Sequence, residues 1–523
     1  MLRTLLAALL CLLPSLSLAA DRPERWGGEI ELGAAGGGMK MTFEVTLAPP
    51  SAPNAAWTGT LSLPMQGLKN APLRDVAFDP ATREMKFTLG LDNMPEARWA
   101  HFTLTRDAAA DPPGALGPTA AGHMAQAGMK AKVTMRVLAE GETAGPNRPQ
   151  TPRPPFPYAA RDVTYTNTLP GAGGGTLAGT LTIPERGRFG PGPHPAVILI
   201  SGSGPQDRDA TLAGHKLFAV LADALTRAGV AVLRVDDRGI GGSTAPKHGQ
   251  ETSDDFVTDV RAGLAFLRAQ PEIDASRLGL IGHSEGGIIA PMVAVAEAPP
   301  EKPAAEEQSA ASPRAGVRFI VLLAPPAVPG SEVMKEQMIA LLRAARVPEE
   351  AVAAQSAAQT ALIDAIATGG GHAEVQAAVT RLVRLQMGLG PDDEPPEAMR
   401  EQFDQLVNLS TAQMMLPWMK RFLTLDPRAH LRRLPPDLAV LALFGGKDLQ
   451  VLPSQNEGEM RSALEAARVS DAAVETFPDV NHLLQPCGKG RTGAATEYER
   501  IEETIDPKAL ARIVEWVAKR GKQ

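Results

Sequence analysis

Gly282-His283-Ser284-Glu285-Gly286 is the stretch of this chain whose residue types and spacing most directly suggest chemistry. It follows the apolar run Leu278-Gly279-Leu280-Ile281, which reads as a buried strand, and precedes Gly287 to Val295, which reads as a helix. A G-x-S-x-G turn between strand and helix holds its serine on a strained bend above the sheet, where larger side chains at 282 and 286 would collide. A serine hydroxyl is a weak nucleophile and needs a base, which an acid must orient. Phe444-Gly445-Gly446-Lys447-Asp448 places Asp448 at the C-terminal end of a later apolar strand. Pro478-Asp479-Val480-Asn481-His482 places His482 in the loop after the next one. The set predicts acyl transfer: Ser284 attacks a carbonyl, His482 takes and returns the proton, and Asp448 fixes the imidazole. The oxyanion requires two N–H donors, expected from the backbones of Glu285 and of Ser203 in Ser201-Gly202-Ser203-Gly204.

Each assignment has a competitor. Asp479, Asp236, Asp237 and Asp426 are rival acids; Asp479 reads as a capping group in the turn of His482, and Asp236-Asp237-Arg238-Gly239 as a loop with an internal ion pair. His283 reads as an inward-packing residue. Asp207-Arg208-Asp209 reads as a wall of the substrate mouth or as a local salt bridge. Gly202, Gly204, Asp207, Arg208, Met415 and Trp418 are the candidate pocket residues. Cys487 is the partner-less cysteine once Cys11 is removed, and reads as a semi-buried thiol beside the active site.

The elements that must position these groups form two textures. From 21 to 140, short alternating segments such as Lys40 to Leu47, Trp57 to Leu63 and Lys130 to Met135 are separated by Gly, Pro, Asn and Asp. They predict a small all-β domain, a sandwich or open barrel. Residues 141–158 are rich in Pro, Arg and Asn and read as a linker. From 159 to 523 apolar strands alternate with helices, among them Ala196 to Ile200, Val230 to Val235, Phe319 to Leu323 and Val440 to Phe444. That alternation predicts a mostly parallel sheet with helices on both faces, and Asp448 and His482 fall at the carboxyl ends of its strands, where ligands bind. Pro299 to Pro313 reads as a disordered loop. Residues from about 330 to 432 are helical throughout and read as a lid, whose Met387, Met414, Met415 and Met419 either line a pocket or pack helices.

The chain has 523 residues and a formal net charge of −7, which argues against nucleic acid or an anionic membrane surface as partner. Arg3, the apolar run Leu5 to Leu13 and Ser15 to Ala20 read as a signal peptide over 1–20, implying export to the periplasm or medium, with no stable membrane span after cleavage. No His/Cys cluster has metal-ligand spacing, and neither metal nor cofactor is expected.

Several motifs together resemble a bacterial group of α/β-hydrolases related to the serine aminopeptidase and prolyl oligopeptidase branches. They are Ser201 to Asp209, Asp236 to Gly239, Gly282 to Gly287, Gly445 to Val451, Asn481-His482, Glu497-Tyr498 and Ile501 to Thr504. The resemblance covers about 160 to 523 and implies the α/β-hydrolase fold and acyl hydrolysis, with short-chain carboxylesters as the expected small-molecule substrates. A peptidase, aminopeptidase or thioesterase is the alternative; an aminopeptidase would use an acidic pair such as Glu285 and Asp207 for the substrate ammonium. A binding protein of the cell envelope without catalysis is the alternative of another class.

Overall fold

The computed structural model describes residues 23–521 apart from 32–39, 51, 53–54, 64–67, 91–94, 109–115, 127, 140–141, 143, 145–146, 172–173, 245–248 and 299–315. The expected signal peptide and the expected loop at 299–313 lie outside the described residues. The chain divides into two compact units, Met1–Asn147 and Arg148–Gln523.

The first unit is a closed barrel of eight antiparallel strands in sequence order: β1 (Glu24–Glu31), β2 (Lys40–Ala48), β3 (Thr58–Leu63), β4 (Leu68–Asp79), β5 (Glu84–Leu89), β6 (Ala100–Ala108), β7 (Leu116–Gln126) and β8 (Met129–Val137). Strand β1 closes it, with Trp26 opposite Val45 on one side and Val137 on the other. Side chains fill a barrel of this size; here they include Trp26, Phe43, Phe87 and Phe102. Alternating sequence anticipates six of the strands and misses β4 and β7. Strand β4 contains Pro72 and two residues in the left-handed region, Asn70 and Asp75, which interrupt its period. Strand β7 is written largely in Gly, Ala and Pro, types with little strand preference.

The second unit runs β9 (Ala159–Thr166), β10 (Thr176–Ile183), a short α1 (Arg186–Phe189), β11 (His194–Ile200), a ribbon of β12 (Thr211–Leu212) and β13 (His215–Lys216), α2 (Leu217–Arg227), β14 (Ala231–Val235), α3 (Ser253–Arg268), β15 (Ile273–His283), α4 (Gly286–Ala296) and β16 (Phe319–Leu323). A helical insertion follows: α5 (Gly330–Ala344), α6 (Glu349–Ala367), α7 (His372–Gln386), α8 (Arg400–Met414), α9 (Pro417–Thr424) and α10 (Arg428–Leu431). The chain then returns through β17 (Ala439–Gly445), α11 (Pro453–Ala466), β18 (Asp471–Phe477) and α12 (Pro507–Arg520). The main sheet has the order β18-β17-β16-β15-β11-β14-β10-β9. It is parallel from β18 to β14, and β10 and β9 are antiparallel additions at one edge. Central strands such as β11, β16 and β17 are buried along their whole length, as parallel strands covered on both faces must be. Leu221 and Leu225 of α2 and Ile513 and Trp516 of α12 cover one face. Leu264 of α3, Ile289 and Val293 of α4 and Met460 of α11 cover the other.

The insertion has a core of its own, with Leu362, Val379, Phe403 and Met419 buried and Met387 and Met414 packed against them. Packing, rather than pocket lining, accounts for these methionines, while Met415 is 40% exposed. The stretch read as a linker also differs from expectation. Arg148 donates to the carbonyls of Ile501 (2.6 Å), Glu499 (2.7 Å) and Ala213 (3.1 Å). Gln150 donates to Ile505 O and accepts from the N–H groups of Thr504 and Ile505 at 2.7–2.8 Å. Composition alone reads these polar residues as solvated spacer; the free backbone groups of the C-terminal segment make them staples. A truncation beginning at Tyr158 should therefore melt at least a few degrees below one beginning at Arg148, because it loses six hydrogen bonds of about 1 kcal/mol each. Differential scanning calorimetry of the two fragments checks this, with equal midpoints as the contrary result.

Candidate active site

Strand β15 ends at His283 and α4 begins at Gly286, so Ser284 and Glu285 make the turn. Ser284 has φ 54°, in the left-handed region, where a non-glycine residue costs about 1–3 kcal/mol and persists only if its surroundings enforce it. They do. A Cβ on Gly282 would lie 2.0 Å from the carbonyl oxygen of Gly286, and one on Gly286 would lie 2.3 Å from that of Ile200. Ser284 N–H donates to Leu323 O of β16 at 2.8 Å. Gly202, at the end of β11, faces the serine: a Cβ there would stand 3.1 Å from Ser284 Cβ.

Asp448 and His482 arrive from the ends of β17 and β18, and both are buried. Asp448 Oδ1 accepts the N–H groups of Gln450 (2.7 Å) and Val451 (2.9 Å), which leaves Oδ2 aimed at His482 Nδ1, 2.7 Å away. The carboxylate can only accept, so Nδ1 carries the proton and Nε2 is the basic nitrogen. The loop of His482 is held by the buried Asn481, whose side-chain oxygen accepts from the N–H groups of Leu483 (3.1 Å) and Gln485 (3.0 Å). His283 Nε2 donates to His482 O at 2.9 Å, and the two imidazole centroids are 4.9 Å apart. The base is thus pinned against the residue that precedes the serine, and His283 is the inward-packing residue its position suggests.

The rival acids are occupied elsewhere. Asp479 has a 73% exposed side chain paired with Lys447, and Asp426 pairs with Arg428. The ion pair expected inside 236–239 forms between motifs instead. Asp236 takes the guanidinium of Arg208 at 2.7 Å, and Arg238 reaches Asp259 on α3 at 2.5 Å. Arg208 also binds Asp162 and Thr180, which makes it a tie between the edge strands and this loop rather than a wall of the substrate mouth. Asp207 accepts from Asp209 N, Thr211 N and Thr211 Oγ1, holding its own turn. Cys487 is fully buried, not half-exposed, and burial pushes its thiol up.

Comparison with known proteins bears on this geometry. A family model described as "Serine aminopeptidase, S33" matches residues 214–356, a span that holds Ser284 and ends before Asp448 and His482. Esterase EstD of Thermotoga maritima is 26% identical over 365 residues, which cover 70% of this chain and 69% of that protein. The chain is thus similar to a serine aminopeptidase family model over part of its length and to an esterase over most of it. Among solved structures, a Pyrococcus furiosus esterase is 14% identical with a TM-score of 0.40, over 73% of this chain and 99% of its own. The proline iminopeptidase of Mycobacterium smegmatis is 16% identical with a TM-score of 0.38, over 69% and 99%.

Behind the serine two carboxyl groups, Glu285 fully buried and Asp237 partly so, flank the candidate oxyanion donors. Asp237 accepts Ser201 Oγ at 2.7 Å and Gln206 N at 2.9 Å, clamping both ends of the loop that carries Ser203. Burial pushes Asp237 up to about 7, and the nearby Glu285 adds to the shift. Glu285 is itself raised by burial, against hydrogen bonds from Ser253, Trp418 and Ser203. Both carboxyls, with Gly202, Tyr165 and Phe256, line a cavity of about 40 Å³, room enough for water. Among the pocket candidates, Gly202 alone lines this cavity, and Trp418 bonds to Glu285. Sequence reading missed the roles of Asp237, Ser253 and Asn481. The signal available for them was indirect, since a carboxylate or amide beside a nucleophile must find partners when buried.

Two buried histidines give the site a pH signature. Burial pushes His283 down to about 3 and His215 down to about 4. Both stay neutral in the native state, whereas the unfolded chain protonates them near pH 6.5. Their contribution is therefore intact above about pH 6.5 and is lost as pH falls toward 4. His215→Gln should remove about one of the protons taken up on unfolding across that window, read as a shallower slope of unfolding free energy against pH in urea titrations. An unchanged slope would contradict the assignment.

Proposed function

We propose that this hydrolase cleaves short-chain carboxylic esters through an acyl-enzyme, with Ser284 as nucleophile, His482 as general base and acid, and Asp448 as the group that orients His482. The observation that carries this reading is a left-handed serine, forced by its glycines, together with a buried His482 whose Nδ1 is taken by Asp448 and whose carbonyl is bonded to His283, the residue before the serine. His482 Nε2 removes the Ser284 proton as Oγ attacks the ester carbonyl. The oxyanion lies against the N–H groups of Glu285 and Ser203, and the start of α4 adds its dipole. Collapse expels the alcohol, protonated by His482, and water repeats the sequence to release the acid. Export is part of the proposal and rests on the basic-apolar pattern of residues 1–20. Among the described residues no helix is long and apolar enough to cross a membrane.

Esters are favoured over aminoacyl amides by the state of the two acids that would bind a substrate ammonium. Glu285 is engaged by Trp418 and Ser253, and Asp207 by its own turn. They do not form a shared open acidic anchor. A screen of p-nitrophenyl esters of graded chain length beside aminoacyl p-nitroanilides decides the matter. Turnover should be confined to the short esters, and faster cleavage of the anilides would replace this reading with a peptidase.

Ser284→Ala should lower p-nitrophenyl acetate turnover by at least about 10⁴-fold with the fold intact; retained turnover would remove the serine from the mechanism. Asp448→Asn should cost about 10⁴-fold in kcat by admitting the wrong imidazole tautomer. Asp479→Asn, which breaks one exposed ion pair, should stay within about twofold. The reverse ranking would move the acid to Asp479.

A further inference from the structure

Glu285 has two parts with separate partners. Its backbone N–H belongs to the turn and is the expected oxyanion donor. Its side chain is 2% exposed and points away from solvent into a set of hydrogen bonds. Ser253 Oγ, at the start of α3, donates to Oε1 at 2.6 Å. Trp418 Nε1–H, on α9 of the helical insertion, points between both oxygens, at 2.9 and 3.0 Å. Trp418 and Glu285 are 133 residues apart in sequence, and the intervening chain includes α4, β16 and most of the insertion.

This contact is the centre of a broader seat. The Trp418 ring stacks on Phe422, with centroids 5.2 Å apart at 15°. Phe422 and Leu425 are buried against Ile288 and Met292 of α4. Arg421 adds a two-pronged bond to Asp254 at 2.5 and 3.0 Å, tying α9 to the first turn of α3. The apolar contacts fix where α9 lies, but they do not define the orientation of the turn at 284–286. Backbone contacts at Gly282 and Gly286 and the Ser284 N–H bond to Leu323 O hold that turn; the Trp418 bond adds a directional hold on the Glu285 peptide, because a buried carboxyl left with Ser253 and Ser203 alone would shift toward them and draw its backbone with it.

We infer that Trp418 is a positioning residue: its indole N–H, by holding the Glu285 carboxyl, sets the aim of the Glu285 backbone N–H at the oxyanion, so that the insertion must be seated before the oxyanion hole is complete. The inference rests on the proposed acyl-transfer role of Ser284 and deepens it. It also assigns Trp418 a function other than walling the acyl pocket. The two differ in what they change. A positioning residue acts on the transition state and lowers kcat for every acyl group, acetate included. A pocket wall acts on substrate binding and raises KM more as the acyl chain grows.

Trp418→Phe in the full-length chain keeps the ring and its stack on Phe422 and removes only the N–H. The expected result is a fall in kcat for p-nitrophenyl acetate of about tenfold or more, with KM within about twofold, and the same loss of kcat for butyrate and hexanoate. Backbone hydrogen exchange across 284–288 should quicken in the variant, together with that of 417–424. Unchanged kcat would overturn the inference, and so would a loss confined to KM that grows with chain length, or exchange at 284–288 that stays as slow as in the wild type. If Ser284→Ala itself retains turnover, the reading of Ser284 fails, and the exchange at 284–288 alone decides whether Trp418 positions the turn.

Discussion

The bend at Ser284 is the constraint on which the rest of the second unit depends. The chain leaves a parallel strand, reverses over the end of its neighbour and enters a helix within two residues. A left-handed serine is costly, and the structure meets that cost with backbone contacts too close for any side chain at 282 or 286. Those contacts involve Ile200, Ser201 and the carbonyl of Gly286, so the strand that carries the serine, the helix behind it and the loop with Ser203 are locked to one geometry. Neighbouring β16 fastens the same turn through Leu323. The serine is presented by the sheet as a whole, not by its pentapeptide.

Burial of charge is the second organising theme. Asp448, Asp237 and Glu285 lie within a few residues of strand ends, where backbone and side-chain donors converge. Each is held differently. Asp448 divides its two oxygens between a turn and an imidazole. Asp237 clamps a loop. Glu285 joins a helix start to the insertion. An unpartnered buried carboxylate is expensive, so these groups act as fixed points around which flexible segments are arranged. The C-terminal segment follows the same rule with backbone groups, which Arg148 and Gln150 satisfy from a stretch whose composition suggests a spacer.

Much of this was legible in the sequence, and the reasons differ by element. Buried parallel strands such as Ala196–Ile200 announce themselves because both faces are covered and the whole run is apolar. Ser284, Asp448 and His482 were legible because each sits beside a strand end in a fixed order, with glycines where the backbone needs room. Strands β4 and β7 were not, because a bulged strand loses its period of two and an alanine-rich one has little contrast between its faces. The partners of Arg208, Asp236 and Arg238 were not legible either. Adjacent opposite charges suggest a local pair, yet the long guanidinium arms reach across the fold, Arg208 to Asp236 and to Asp162 of the edge strand, and Arg238 to Asp259 on α3.

By itself the sequence determined the alternation of strands and helices in the second unit, the glycine-flanked turn at Ser284, the places of Asp448 and His482 beside strand ends, and a helical insertion between two core strands. Those properties depend on local pattern and on chain order, which a one-dimensional text carries. Only the tertiary structure decided which acid was free to face His482 and that the first unit closes into a barrel. It alone brought Trp418 to the carboxyl of Glu285. These depend on which groups meet across long stretches of chain, 34 residues for Asp448 and His482 and 133 for Glu285 and Trp418, and on the rule that a buried polar atom takes whatever partner the packed core leaves within reach.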